Sequence, residues 1–575
     1  MYVETIPNRG SRPTILIREA WREGKRIRRR TVANITTLPD EQIEQIRQTL
    51  KGERLVPADR AFEILRSRPH GHIAAVVGTM NRLGLPELLS TRKHRNRQLA
   101  LAMIAARIVD PGSKLATAQK LGSETLSSSL GEVLGVQGAD ADELYGALDW
   151  LHRGQARIEA KLARRHLQAG DRVLWDATKL PFESRTCELA AFGRPGAKTK
   201  SQRQVLIGLL ASQEGVPVAV EVFRGNTSDA KTVGPALDRV QERFGLEGVV
   251  LVADRGMLTA AQIAQELKPR GVGWITALRA PTIRKLMKEG GPLQLSLFDE
   301  QDLAEITDLD FPGERLIACR NPLLAQDRAR TREELLRVTE AKLTELQHRV
   351  TRSNRPLRGK SKIGVAVGRV LGASKVAKHF RYEISDDGFT FERDHEKIAL
   401  EAALDGIYVI RTNVPAKELD AEAAVEAYKD LSQVEQSFRV MKSFALEMGP
   451  IRHRLEARVR AHAFLCMLAR YVRWHMEKAL SPLLLTDHDP EAGRAARRSV
   501  VDPAERSKAG QRKVSRRRTD DGLPARSFET LLGDLATLTK NETRVDGTEA
   551  TFDKFTTPTP LQLTAFKLLD VSFQM

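Results

Sequence analysis

GVVLVAD (residues 248–254), continued by RGMLT (255–259), decides the fold. Five of its first six residues are apolar, three of them Val. A strand buried on both faces has that texture. It ends in Asp254, and Thr259–Leu267 beyond it reads as a short helix. GWITALR (273–279) then reads as the next strand. Upstream, Thr232–Phe244 has helical spacing. VPVAVEVF (216–223) and RQVLIGLLAS (203–212) form a hairpin through Gln213-Glu214-Gly215, and DRVLWDATKL (171–180) opens the series. The order β-β-β-α-β-α-β predicts an α/β fold, a mixed sheet with helices on its faces.

The pattern breaks after Arg279 and resumes at DGIYVIRTNV (405–414), followed by helices predicted over Lys417–Phe444 and about 454–480. Residues 280–404 therefore read as an insertion in the α/β domain. In it, 327–350 has the look of an exposed charged helix, and 352–381 holds nine Lys or Arg and no acid. Residues 12–36 read as a basic hairpin turning at Gly24, with Arg28, Arg29 and Arg30 in one spot. Asp40 is placed to cap a helix over 40–52. Residues 58–168 read as helical, broken at Pro111-Gly112; they suit a DNA-end-binding domain or a packing domain with no ligand. Residues 494–518, with ten basic and two acidic side chains and no periodicity, read as a flexible basic linker. The resulting division is 1–56 (hairpin and helix), 57–168 (helical, DNA-binding), 169–279 and 405–480 (the core in two parts), 280–404 (basic insertion), 481–526 (linker) and 527–575 (C-terminal module).

The 575 residues carry 92 Lys or Arg against 74 Asp or Glu, a formal charge of +18 that suits a polyanionic partner. Hydrophobic residues make up 41%, enough to form cores. Cys187, Cys319 and Cys466 are too few and too scattered for a disulfide scaffold or a paired zinc spacing. No apolar run reaches the ~18–20 residues of a membrane span, and the first residues lack the apolar stretch of a secretion signal. The expectation is a cytosolic, nucleic-acid-facing protein.

Three acids stand apart. Asp176 lies in or at the end of a strand and Asp254 follows a buried one; ionised carboxylates there are costly unless paired or metal-bound. Each also reads as a strand-end Asp capping a turn. Glu435 shares a seven-residue spacing with Tyr428 and Lys442, a stripe ~21 Å long beside the apolar one of Leu431, Val434, Phe438 and Met441. A solvated helix flank satisfies that spacing equally. As a set, the acids suit two Mg²⁺ ions, which need shared hard-oxygen ligands to cut or join phosphodiesters. Asn226, Thr227 and Asp229 read mainly as turn residues. His453 and His462, nine residues apart, fall on opposite sides of a helix and so do not share a metal.

VLWDATKLPFES (173–184), FRGNTSDAKT (223–232), VLVADRGMLT (250–259) and AYKDLSQVEQSFRVMKS (427–443) together resemble the DDE transposases of bacterial insertion sequences. The last segment is similar to that family's Y-x2-R-x3-E-x6-K signature, with Leu431 in place of the Arg. The resemblance implies an RNase H-like core with an insertion before the Glu-bearing helix. It implies Asp176, Asp254 and Glu435 as catalytic and metal-binding residues for two Mg²⁺ ions, with Mn²⁺ able to substitute. Tyr428 and Lys442 are implied as contacts to phosphates near the cleaved end. Arg439, Arg358, Lys360 and Lys362 are further candidate DNA contacts, the last three within the basic insertion. The implied partners are double-stranded DNA, as element ends and target, and a second copy of the chain on that DNA; the implied location is the bacterial nucleoid. Some relatives cut the second strand through a DNA hairpin held by a Trp of the insertion; 280–404 has no Trp, which leaves Phe380, Tyr382 or another ring. Two other functions suit the same residues, a stand-alone Mg²⁺ nuclease and a non-catalytic DNA-binding protein.

Overall fold

A computed structural model describes residues 1–53, 61–122, 127–193, 202–288, 291–299, 301–374, 376–546 and 548–575. The chain forms two compact units, Met1–Pro69 with Leu538–Thr557, and His70–Thr537 with Pro558–Met575.

In the smaller unit, Tyr2–Ile6, Thr14–Glu23 and Arg26–Asn34 make an antiparallel sheet. Gly24 takes the turn with φ +61°, a conformation that favours glycine. The helix Asp40–Leu50 lays Ile43 against Ile15 and Ile35. Pro39 occupies the N-cap position, so Asp40 is the first helical residue and not the cap. Phe62–Pro69, within the stretch read as helical, is a strand paired with Thr539–Val545, which also pairs with Thr551–Phe555. Its partner lies more than 400 residues away, a long-range pairing that local periodicity does not reveal.

The larger unit is built on a nine-stranded mixed sheet. Its strands run in the order Leu303–Ile306, Arg315–Arg320, Ile407–Thr412, Gly273–Ala277, Val250–Ala253, Arg172–Pro181, Arg203–Ser212, Ala191–Phe192, with Pro217–Arg224 also paired to Arg203–Ser212. Val250–Ala253 is parallel to both neighbours and ends fully buried, as its composition requires. The insertion is not wholly separate from this sheet. Leu303–Ile306 and Arg315–Arg320 add two antiparallel strands at the Ile407–Thr412 edge, and their short apolar runs carried too little signal to stand out.

Beyond them, the 30-residue helix Pro322–Thr351 is not exposed all round. Leu336, Leu343, Leu346 and Val350 are buried against Ile363, Val367 and Leu371 of the helix Lys360–Gly372. Phe380 is buried in the same cluster, whereas Tyr382 is 48% exposed, so only the latter ring can meet a base. The helices Gly71–Arg82, Arg95–Val109, Ala141–His166 and Glu456–Ala479 pack together, and Glu456–Ala479 also lies on the strand Pro217–Arg224.

The stretch read as a flexible linker includes the helix Lys508–Arg516. Its start is tied down by Asp487, whose Oδ1 accepts from the Ser507 hydroxyl at 2.7 Å, and the buried Lys513 donates to the Ser481 carbonyl at 2.7 Å. Charged side chains that bond backbone carbonyls replace the apolar periodicity expected of a packed helix. The final helix, Pro560–Leu569, packs on Gly71–Arg82 and Glu456–Ala479.

Candidate active site

The two aspartates are neighbours because of strand register. Trp175 pairs with Ala253 across the parallel strands, and the next residue on each is Asp176 and Asp254. Parallel neighbours lie about 4.8 Å apart, with in-register residues on one face. Trp175 points the other way. Its indole is buried, donates from Nε1 to Thr232 Oγ1 at 3.0 Å, and lies where a side chain on Gly208 would be. A Cβ at Gly208 would come within 2.4 Å of the Trp175 ring, so the glycine makes room for the residue that sets Asp176's orientation.

The helix expected over Lys417–Phe444 is two helices, Ala421–Lys429 and Leu431–Lys442, joined at Asp430, which itself keeps helical angles of φ −61° and ψ −17°. The second packs on the strand carrying Asp176. Leu431, Val434, Phe438 and Met441 are buried, as their spacing required. The ends of the Tyr-Glu-Lys stripe are anchored on the two Asp-bearing strands, Asp254 just past the end of one and Asp176 in the middle of the other. The Tyr428 hydroxyl donates to Asp254 Oδ1 at 3.4 Å, and Lys442 Nζ donates to Thr178 Oγ1. Thr178 shares a strand face with Asp176. Glu435 lies midway between Tyr428 and Lys442 along the chain, on the helix packed against the Asp176 strand.

Electrostatics agree with this geometry. Burial pushes the Asp176 carboxyl up to about 6, and the negative charges of Glu435, Asp254 and Asp229 push it the same way; the Ala177 N–H bonded to Oδ1 at 2.8 Å opposes them. Burial and the charge of Asp254 raise the Tyr428 phenol, which stays a donor. Partial burial lowers the Lys442 ammonium, and Asp176 counters it. Asp254 also accepts from the Gly256 N–H at 3.3 Å, so the turn-capping role read for it is present beside its place among the acids. Among the described residues, no three His, Cys, Asp or Glu side chains stand close enough together to hold a metal ion. The acids form an electrostatic cluster of hard oxygen donors, which is the donor chemistry Mg²⁺ and Mn²⁺ take.

Arg439 is exposed in the last turn of the Glu435 helix. Arg358, Lys360 and Lys362 are exposed at the start of the helix Lys360–Gly372. Cations are unfavourable at a helix N-terminus, and two acids offset them there. Arg358 lies 3.8 Å from the Asp387 carboxylate, and Asp386 accepts from the Lys360 N–H at 2.9 Å. Lys375, another of the nine positives, lies outside the described residues. Sequence reasoning left Thr178 out of the site and kept Asp229 among turn residues. The G-N-T-S-D motif was the available signal for Asp229, and the D-A-T of residues 176–178 was the signal for Thr178.

A model of the transposase DDE domain family matches residues 168–472, just over half of the chain. The chain belongs to that family, whose chemistry on DNA depends on divalent metal ions. A model of the N-terminal domain of IS1634 family transposases matches residues 2–59. No curated protein matches. Among solved structures the chain is similar to a piggyBac transposase in a synaptic complex with hairpin DNA, at 8% identity over 70% of this chain and 71% of that one, with a TM-score of 0.34. No helix among the described residues is long and apolar enough to cross a membrane.

Proposed function

We propose that this protein is an insertion-sequence transposase that binds the ends of its element, cuts them, and joins the released 3′ ends to target DNA at a centre formed by Asp176, Asp254 and Glu435. The reading is supported by the charge that Asp254 and Glu435, separated from Asp176 by 78 and 259 positions in the chain, exert on Asp176, and by the register that sets Asp176 and Asp254 side by side on parallel strands of the mixed sheet. Their hard oxygen donors and mutual repulsion suit divalent cations. Asp176, Asp254 and Glu435 would hold such ions, which would activate the attacking oxygen and neutralise charge at the scissile phosphate.

The chain's own groups do the rest. Tyr428 holds Asp254 in place through its hydroxyl and presents a neutral donor to the DNA. Lys442, with Arg439 one turn earlier, offers positive charge to phosphates beside the cut. Exposed Arg358, Lys360 and Lys362 add sequence-independent phosphate contacts that fix orientation rather than specificity. Two copies of the chain on a pair of ends complete the complex.

The test is a cleavage and joining assay with a labelled end duplex, a target plasmid and Mg²⁺. Wild-type protein should give nicked ends and strand-transfer products. Asp176→Asn, Asp254→Asn and Glu435→Gln should each give neither, while still shifting the duplex in a gel. Cleavage without joined products favours a stand-alone nuclease. Cutting by all three variants refutes the assignment.

A further inference from the structure

A cationic cavity lies in the larger unit, where the 447–453 loop meets the helices Arg95–Val109 and Lys114–Leu121. Its volume is about 160 Å³, ample for a tetrahedral oxyanion with water, since one water needs only about 10–15 Å³ of such space. Arg107, Lys114, Arg452, His453 and His462 line it, and among the described residues Glu447 is the one carboxylate on its wall.

The charges do not cancel. Lys114 is 4% exposed, and its ammonium makes no hydrogen bond or ion pair among the described residues. Arg107, equally buried, donates to carbonyls alone, of Gly112 at 2.8 Å and of Leu446 and Glu447 at 3.4 Å. Glu447 is exposed at the rim, and Arg452 pairs outward with Glu183 at 3.2 Å. Gly112 and Ser113, at the N-terminus of the Lys114–Leu121 helix, add the positive end of its dipole.

The two histidines, expected on opposite sides of one helix, have ring centroids 5.1 Å apart. His453 precedes the helix Glu456–Ala479 rather than lying on it, so the half-turn offset does not apply. His462 donates from Nε2 to the Met448 carbonyl at 2.9 Å, which leaves a buried Nδ1 with no partner. A buried ammonium with no counter-charge is costly, and the cavity beside it is shaped to admit one.

From this arrangement we infer that the cavity is a phosphate-binding site in which Lys114 and Arg107 hold the anion and the amino end of the Lys114–Leu121 helix faces it. No residue of the Asp176–Asp254–Glu435 cluster lines it, so the inference stands apart from the proposed strand-transfer centre. Burial and the charge of Arg107 lower the Lys114 ammonium to about 7, as expected of a cation lacking its anion.

The experiment uses the full-length protein. Binding of inorganic phosphate is measured by calorimetry and by thermal shift, against chloride at equal ionic strength. Wild type should show phosphate-specific binding. Lys114→Met keeps the side-chain length, and it should weaken that binding roughly 30-fold or more while raising the melting temperature without phosphate. That opposite pair of effects separates loss of a site from loss of folding. Glu447→Gln, at the exposed rim, should tighten phosphate binding. A parallel arm measures affinity for an end duplex. A matching loss in Lys114→Met identifies the anion as a backbone phosphate, and an unchanged DNA affinity identifies it as a free phosphate. No phosphate-specific binding by wild type, or full binding by Lys114→Met, or weaker binding by Glu447→Gln, overturns the inference.

Discussion

Replacing Asp176 by Asn should stabilise the metal-free protein while abolishing its chemistry. In the folded chain the Asp176 carboxyl is raised from 3.8 to about 6, by burial first and then by Glu435, Asp254 and Asp229. Between those values the native state holds a proton that the unfolded chain has released, so stability falls as pH rises through the interval. At pH 7.5 the ionised form costs about 3 kcal/mol, at 1.36 kcal/mol per pH unit. Asn is uncharged and keeps an oxygen to accept from the Ala177 N–H. Calorimetric melting in EDTA should therefore place Asp176→Asn about 3 °C above wild type at pH 7.5, for a unit of this size. The gap should shrink toward zero near pH 4, and Mg²⁺ should raise wild type more than the variant. Equal melting temperatures at pH 7.5, or a gap that does not change with pH, would refute the electrostatic account of this cluster.

Gly208→Ala should destabilise by about 1–3 kcal/mol in urea titration, because its methyl would overlap the Trp175 ring at 2.4 Å; cleavage should fall with it, since Trp175 adjoins Asp176. Lys442→Met should weaken binding of an end duplex and lower the slope of log affinity against log salt by about 0.9, the signature of one lost phosphate contact. Changing Arg358, Lys360 and Lys362 together to Ala should lower that slope by up to about 3 and weaken all sequences alike; an unchanged slope removes this helix start from the DNA path.

The sheet around Asp176 and Asp254 was legible because its strands are short apolar runs bounded by turns, and burial on both faces leaves few other residues able to fill them. The apolar stripe through Val434, Phe438 and Met441 was legible for the same reason, and its orientation fixes where Glu435 points. What local pattern could not reach was pairing at a distance. Phe62–Pro69 becomes a strand only because Thr539–Val545 lies beside it, and Leu303–Ile306 and Arg315–Arg320 join the sheet through the edge strand Ile407–Thr412. Polar packing was equally opaque. Lys513 is buried by bonding carbonyls and Lys114 by facing a cavity, and neither leaves an apolar period in the sequence. The approach of His453 to His462 depended on where a helix begins, the least legible feature of any periodic stretch.

The most direct test is anomalous diffraction from crystals of the protein with end DNA and Mn²⁺. The account predicts Mn²⁺ density bounded by the carboxylates of Asp176, Asp254 and Glu435, two ions about 3.5–4 Å apart beside the phosphate to be cut. Ordered Mn²⁺ at other residues, with these three carboxylates free of metal in a complex that still cuts, would contradict it.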